Sequence, residues 1–352
     1  MEKKVKLSRK CRHGLLKKPN VVGVGVGYRE KEGKRTENKS IVVFVTEKVA
    51  RHELRNTELV PPTLKGRQVD VIEIGEIRLL DEEEEPHERK NGTVTATPDH
   101  LKRYRPAPGG VSIGHYKITA GTLGAVVRDK RSGARLILSN NHVLANTSSG
   151  NDGRASIGDA VLQPGVYDGG KESNDLIGRL ARFIPMQRTL FRSECATAAA
   201  WERAVNRFLS LVRPQYQITL QRENEKGNLV DAALAAPLQE TDLSDEVLGL
   251  GKIMGVAEAY LGQQISFSGR TSGLVSGKVI AEDVSLYITM NPGEHVLFDD
   301  QLITTAVSRP GDSGSLVMDR NNKAVGLLFA GSDKVSICNR INNVCRLLDI
   351  EF

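Results

Sequence analysis

Residues 309–317 read RPGDSGSLV, and the fold turns on whether Ser313 in that run is a turn residue or an activated nucleophile. Gly-Asp-Ser-Gly is also ordinary loop composition, so the run settles nothing alone. A serine hydroxyl becomes a nucleophile when an imidazole takes its proton, a carboxylate orients that imidazole, and N–H groups meet the developing oxyanion. The remainder of the chain must offer a histidine, an acid and a scaffold that joins them.

The scaffold comes first. From PGGVSIGHYKITAGTLGAVVRD (108–129) onward, short apolar runs are broken by Gly, Asp-Gly, Ser-Gly and Asn turns. A break roughly every 8–12 residues is the rhythm of an all-β barrel or sandwich. One interruption, RSECATAAAWERAVNRFLSLVRP (192–214), carries Ala198, Trp201, Val205, Phe208, Leu209 and Val212 at helical spacing and ends at Pro214. It predicts a helix inserted into the β-domain, with that stripe as a packing surface.

Of the seven histidines, His13, His52, His87 and His100 fall in the tail, the N-terminal region or linker-like sequence. His115 lies in a candidate first strand of the β-domain, and His295 in the turn NPGEH. His142 closes a strand, RLILSNNHVLAN, where an apolar run gives way to polar residues. For the acid, GNLVDAALAAP (227–237) embeds Asp231 in apolar sequence, where a buried charge needs partners. Asp175 in SNDLIGRL is the runner-up.

SNNHVLA, VDAALA and PGDSGSLV, in the order His, Asp, Ser, resemble the chymotrypsin/trypsin-like serine protease superfamily. FSGRTSGLVSGKV (267–279) is similar to the hairpin opening the second barrel of bacterial members, and AVGLLFAGS (324–332) to the strand lining the specificity pocket. VVGVGVGY, IVVFVTEK, VDVIEIG, TAGTLGAVV, LSNNHVLA and LQPGVYDGG further resemble bacterial relatives of the plant narrow-leaf trypsin-like proteins. The resemblance implies a mainly β, chymotrypsin-like double β-barrel with an inserted helix, preceded by a small α/β N-terminal domain. It implies a serine endopeptidase with Ser313 as nucleophile, His142 as base and then acid, and Asp231 as orienting acid. The N–H groups of Gly311 and Ser313 would form the oxyanion hole, with Asp312 holding the turn. Val307, Ala330 and Gly331 would line the substrate pocket, and with no carboxylate at Val307 an apolar or small P1 side chain is expected. The chain departs from the superfamily at Ser315, where the motif usually ends in Gly. It departs again at Phe329, where a Ser often supports the catalytic Asp.

The first eighty residues have a pattern of their own. NVVGVGVGYRE (20–30), KSIVVFVTEKV (39–49) and RQVDVIEIGEIRLL (67–80) read as strands of a small α/β domain. Gly23, Gly25 and Gly27 fall on one strand face and mark close packing; Tyr28 stands where a dinucleotide fingerprint would need Gly. LLDEEEEPHERKNG (79–92) opens an exposed acidic linker. Residues 1–80 are thus the N-terminal domain with a basic tail, 81–108 the linker and 109–352 the protease domain, with its helical insertion at about 190–214.

The net charge of +6 arises in the tail, since residues 1–18 hold eight Lys/Arg against one Glu. It therefore argues for a solvated terminus and against a nucleic-acid face. No run approaches the ~18 apolar residues of a membrane span, and Cys11, Cys195, Cys338 and Cys345 lack metal-ligand spacing. A reduced, cytoplasmic protein is expected, with a protein or peptide substrate, no cofactor, and self-association through the N-terminal domain as an option. In secreted members of the superfamily a new N-terminus made by proteolysis holds the acid before the nucleophile. The preceding domain argues against that route here; self-cleavage in the acidic linker and constitutive activity both stay open. The alternative function is a catalytically silent or self-processing regulatory protein on a protease fold.

Overall fold

A computed structural model describes residues 7–31, 34–80, 98–192, 195–224, 226–291 and 294–352. The acidic run expected as linker, residues 81–97, lies outside them. In the C-terminal part, alternating apolar residues build a ring of six antiparallel strands. Gln264–Gly269, Leu316–Asp319, Ala324–Gly331, Ser336–Arg340, Glu294–Thr304 and Gly273–Asn291 follow one another, and the last pairs back onto the first. Closure removes the free edges of the sheet. Phe267, Val279, Leu302, Val317, Leu328 and Cys338 belong to one buried cluster of this barrel.

The preceding part forms a second antiparallel sheet, a half-barrel. Its order is Ile350–Glu351, Ala125–Asp129, Arg135–Ser139, Ala233–Pro237, Leu176–Phe183, Ala160–Leu162, Ser112–His115 and Gly121–Thr122. Leu138, Leu234, Leu316, Leu327, Ile341, Val344 and Leu348 share a core between the two sheets, to which the C-terminal helix Ile341–Leu348 contributes one face. The mainly β, double-barrel architecture follows from these two sheets.

The N-terminal strands extend the second barrel's sheet. Val21–Lys31 pairs antiparallel with Gly273–Asn291, Lys34–Val45 pairs with Val21–Lys31, and Arg67–Glu73 runs parallel to Lys34–Val45. The run from Ile41 to Val45 is apolar at every position because both faces are covered. Ile41, Val43 and Val45 join Leu15 and Leu16 of the helix Arg9–Leu16, whereas Val42 and Phe44 join Leu286, Phe298 and Phe329 of the barrel. The alternating glycines are packing residues: a Cβ on Gly25 would lie 2.7 Å from Val284 Cγ2, and one on Gly27 would lie 2.8 Å from Val42 Cγ2. The expected strand over 67–80 is two strands, Arg67–Glu73 and Arg78–Leu79.

Parts of residues 98–108, assigned to the linker from composition, are packed in the structure. His100 is buried with Nδ1 2.7 Å from the Gly110 carbonyl oxygen, and the strand Ala107–Gly109 runs parallel to Leu243–Val247. The inserted helix forms over Ala196–Val212 as its periodicity predicts. Its apolar stripe is covered only in part: Ala198, Val205 and Leu209 are half-buried, whereas Trp201, Phe208 and Val212 are exposed, and the buried residue of the helix is Glu202, whose carboxylate accepts the Leu220 N–H. Periodicity reports which face of a helix is apolar, not whether anything covers it. All four cysteines are free thiols, with burial pushing the Cys338 thiol up to about 12. Among the described residues, no helix is long and apolar enough to cross a membrane.

Candidate active site

The strand Arg135–Ser139 ends in a one-turn helix, Asn141–Leu144, whose first N–H groups need acceptors from outside the helix. Asp231 supplies them. Its Oδ1 accepts from the N–H of Asn141 at 2.7 Å and of His142 at 3.2 Å, and its Oδ2 meets His142 Nδ1. Both side chains are buried, Asp231 completely. One carboxylate thus orients the imidazole and caps the turn that carries it.

Asp231 is itself fixed from both barrels. Its carbonyl accepts from Asn140 Nδ2 at 2.7 Å and from Asn339 Nδ2 at 3.1 Å, while its N–H donates to Asn339 Oδ1 at 3.0 Å. These asparagines answer the question raised by Phe329. No serine is needed there, because backbone amides and Asn339 hold the acid in place. Phe329 instead packs against Phe298, with ring centroids 4.7 Å apart. Neither Asn140 nor Asn339 was singled out from sequence. Asn140 lies inside the SNNHVLA signature, while Asn339 carries no local signal.

Ser313 sits on a turn between two glycines in the left-handed region, Gly311 and Gly314, both at φ +93°. Only glycine adopts this conformation readily. At Gly314 space demands it as well, since a Cβ would fall 2.1 Å from Ser139 Oγ and 2.3 Å from the Thr122 carbonyl oxygen. The same closeness places the turn against the strand leading to His142. Thr122 N–H donates to the Ser313 carbonyl at 2.7 Å, and a Cβ on Gly121 would meet Val143 Cγ2 at 2.5 Å and the Ser313 carbonyl oxygen at 3.0 Å. The Ser313 turn thus lies against Gly121 and Thr122, and Gly121 in turn lies against Val143, the residue after His142. The Ser313 hydroxyl is buried and donates to the Phe329 carbonyl at 3.3 Å.

Asp312 anchors the turn. Its Oδ1 accepts the N–H of Thr271 at 3.0 Å and of Ser272 at 2.9 Å, and its Oδ2 accepts that of Arg309 at 2.8 Å. Burial raises its pKa above the usual carboxylate range, with these hydrogen bonds acting in the opposite direction. No new N-terminus is needed to hold this acid, because backbone amides already do. Ser315, in place of the usual final glycine, donates its hydroxyl to the Asp312 carbonyl at 2.6 Å and tightens the same turn.

The other candidates fall elsewhere. His115 is buried, with Nε2 3.0 Å from Asp159 Oδ2 and Nδ1 accepting the Lys117 N–H at 3.2 Å. Burial lowers its pKa, against the pull of Asp159. Both of its ring nitrogens are engaged, as in a structural histidine. Asp175 pairs with Arg103 at 3.3 Å and accepts the Lys171 N–H at 2.9 Å. Of the expected pocket residues, Ala330 and Gly331 lie buried at the end of Ala324–Gly331. Val307, expected at the pocket floor, is 40% exposed, whereas Ala306 and Ser308 on either side are buried. Ser308 is buried, and its hydroxyl accepts from Ser336 Oγ at 2.7 Å. Gly311 N–H, one of the two expected oxyanion donors, donates to the Leu80 carbonyl at 3.0 Å.

Residues 6–74 match the family described as the NARROW LEAF 1 N-terminal domain. The chain is 24% identical to Protein NARROW LEAF 1 of Oryza sativa subsp. japonica over 348 residues, covering 91% of this chain and 53% of the relative. It is 34% identical to Serine protease 2 of Streptomyces fradiae over 94 residues, covering 27% of this chain and 45% of the relative. The chain thus spans about half the length of the curated relatives it matches. Among solved structures, Nocardiopsis protease aligns at TM-score 0.41 and 15% identity, covering 69% of this chain and 96% of that one. Cellulomonas bogoriensis chymotrypsin aligns at TM-score 0.42 and 16% identity, covering 70% and 97%. The chain resembles the trypsin-like serine proteases, and within them the narrow-leaf proteins.

Proposed function

We propose that the chain is a serine endopeptidase acting through Ser313, His142 and Asp231. The observation that supports this reading is the buried His142–Asp231 pair, together with Ser313 on a turn whose flanking Gly311 and Gly314 both take a left-handed conformation. In this mechanism Ser313 Oγ attacks the scissile carbonyl as His142 accepts its proton. Asp231 keeps the Nδ1 proton in place and stabilises the imidazolium. The N–H groups of Gly311 and Ser313 take the oxyanion. His142 then returns the proton to the leaving amine, and water resolves the acyl-enzyme by the reverse route.

The pocket wall of Ser308, Ala330 and Gly331 supplies no carboxylate, which favours an apolar or small P1 residue in a protein or peptide substrate. With peptides differing only at P1, leucine is expected to give kcat/KM at least about tenfold above lysine or arginine, the discrimination available to an uncharged pocket against a charge. Cleavage mainly after lysine or arginine would overturn the pocket assignment. Ser313→Ala should reduce hydrolysis of every peptide to background.

A further inference from the structure

The strand Arg78–Leu79 occupies an unusual place. It lies between Gly273–Asn291 and Ala324–Gly331, two strands of the closed barrel that are not neighbours in the ring. On one side Thr289 N–H donates to the Ile77 carbonyl at 2.9 Å. On the other, the strand pairs antiparallel with the pocket wall, Leu79 opposite Ala330 and Arg78 opposite Gly331. One residue further, this register brings Leu80 level with Phe329, whose carbonyl accepts the Ser313 hydroxyl. The Leu80 carbonyl accepts the Gly311 N–H at 3.0 Å.

The Leu80 side chain completes the picture. It is buried, shares an apolar cluster with Ala306, and has Cδ2 3.6 Å from where a Cβ on Gly331 would stand. The same Gly331 position lies 3.0 Å from Ser308 Oγ. Backbone pairing, a carbonyl on the expected oxyanion donor and a side chain buried beside Gly331 are three separate demands on a peptide substrate, and Arg78–Leu80 meets all of them. The strands Val21–Lys31 and Lys34–Val45 tether this segment to the barrel, so its effective concentration at the cleft far exceeds that of a free peptide.

We propose that Arg78–Leu80 is bound in cis as the acyl half of a peptide substrate and that the protein hydrolyses its own chain at the Leu80 carbonyl. The proposal rests on the serine peptidase reading and adds to it the first bond cut and leucine as the residue that fills the pocket. Ser313 Oγ bonds to the Leu80 carbonyl carbon as the C–N bond to the next residue breaks. The Ser313 proton passes through His142 to the leaving amine, and one water then converts the ester to a Leu80 carboxylate and restores the serine.

The test uses the full chain incubated at neutral pH and followed by intact mass and N-terminal sequencing. Wild type is expected to yield fragments 1–80 and 81–352, and Ser313→Ala to stay whole. Ser313→Ala should also stay whole when mixed with a tenth part of wild type, because its own strand fills its cleft; efficient cutting in the mixture would overturn the cis assignment. Leu80→Asp, whose carboxylate the apolar pocket rejects, should remain uncut yet react with a fluorophosphonate at Ser313. Wild type that stays whole, or is cut elsewhere, while Leu80→Asp is labelled would overturn self-cleavage alone. Absence of labelling in both would overturn the peptidase reading as well.

Discussion

Asp231→Asn is expected to lower kcat/KM on a leucyl peptide by about 10⁴-fold, the scale of loss when the orienting acid of such a triad becomes an amide. The reason lies in the two oxygens. Oδ1 accepts N–H groups from Asn141 and His142, and Oδ2 faces His142 Nδ1. In the amide, the remaining oxygen must stay with the two backbone donors, so the NH₂ group turns towards Nδ1. That nitrogen then becomes an acceptor, the imidazole proton moves to Nε2, and the base can no longer take a proton from serine. The fold should survive, because shape and cap are kept. Asp175→Asn serves as the control. Its carboxylate pairs with the half-exposed Arg103, and an exposed pair contributes at most about 1 kcal/mol, so kcat/KM should change less than about twofold. The opposite outcome would reassign the orienting acid.

The second large effect concerns stability. Arg270, in the turn between Gln264–Gly269 and Gly273–Asn291 of the closed barrel, reaches the half-barrel. Its Nε donates to Asp168 Oδ2 at 2.6 Å and its Nη2 to Oδ1, with the guanidinium 4.9 Å from the Tyr167 ring centroid. The two side chains are 4% and 5% exposed. Removing one partner of a buried ion pair leaves a charge desolvated without compensation, which costs about 3–5 kcal/mol. Asp168→Ala should therefore lower the melting temperature by about 5 °C or more. Replacing both partners with apolar residues of similar volume should recover much of the loss, because no charge is stranded. A melting temperature for Asp168→Ala within about 1 °C of wild type would show that this pair does not clamp the barrels.

How much of this was legible in the sequence depends on the range of each interaction. Ser313, His142 and Asp231 could be named because each sits in a short local signature, and the structure pairs two of them, His142 with Asp231. The β-rich architecture was legible from turn spacing, and the helix at Ala196–Val212 from its period. What escaped were contacts between distant segments. Asn339 braces Asp231 from the other barrel, Arg270 reaches Asp168 across the interface, and the Leu80 carbonyl meets the Gly311 N–H from the N-terminal region. No periodicity marks such partners, since each is a lone residue whose meaning depends on where the chain folds back. Val307 shows that position in a motif does not report exposure: its side chain is 40% exposed while Ala306 and Ser308 beside it are buried.

The central claim is that Ser313 is an activated nucleophile. Its most direct test is to treat wild type and Ser313→Ala with a fluorophosphonate and map the adduct by peptide mass spectrometry, with Leu80→Asp included to keep the cleft open. One adduct on Ser313 is expected in wild type and Leu80→Asp, and none in Ser313→Ala. No adduct in either of the first two proteins, or equal labelling of Ser313→Ala, would contradict it.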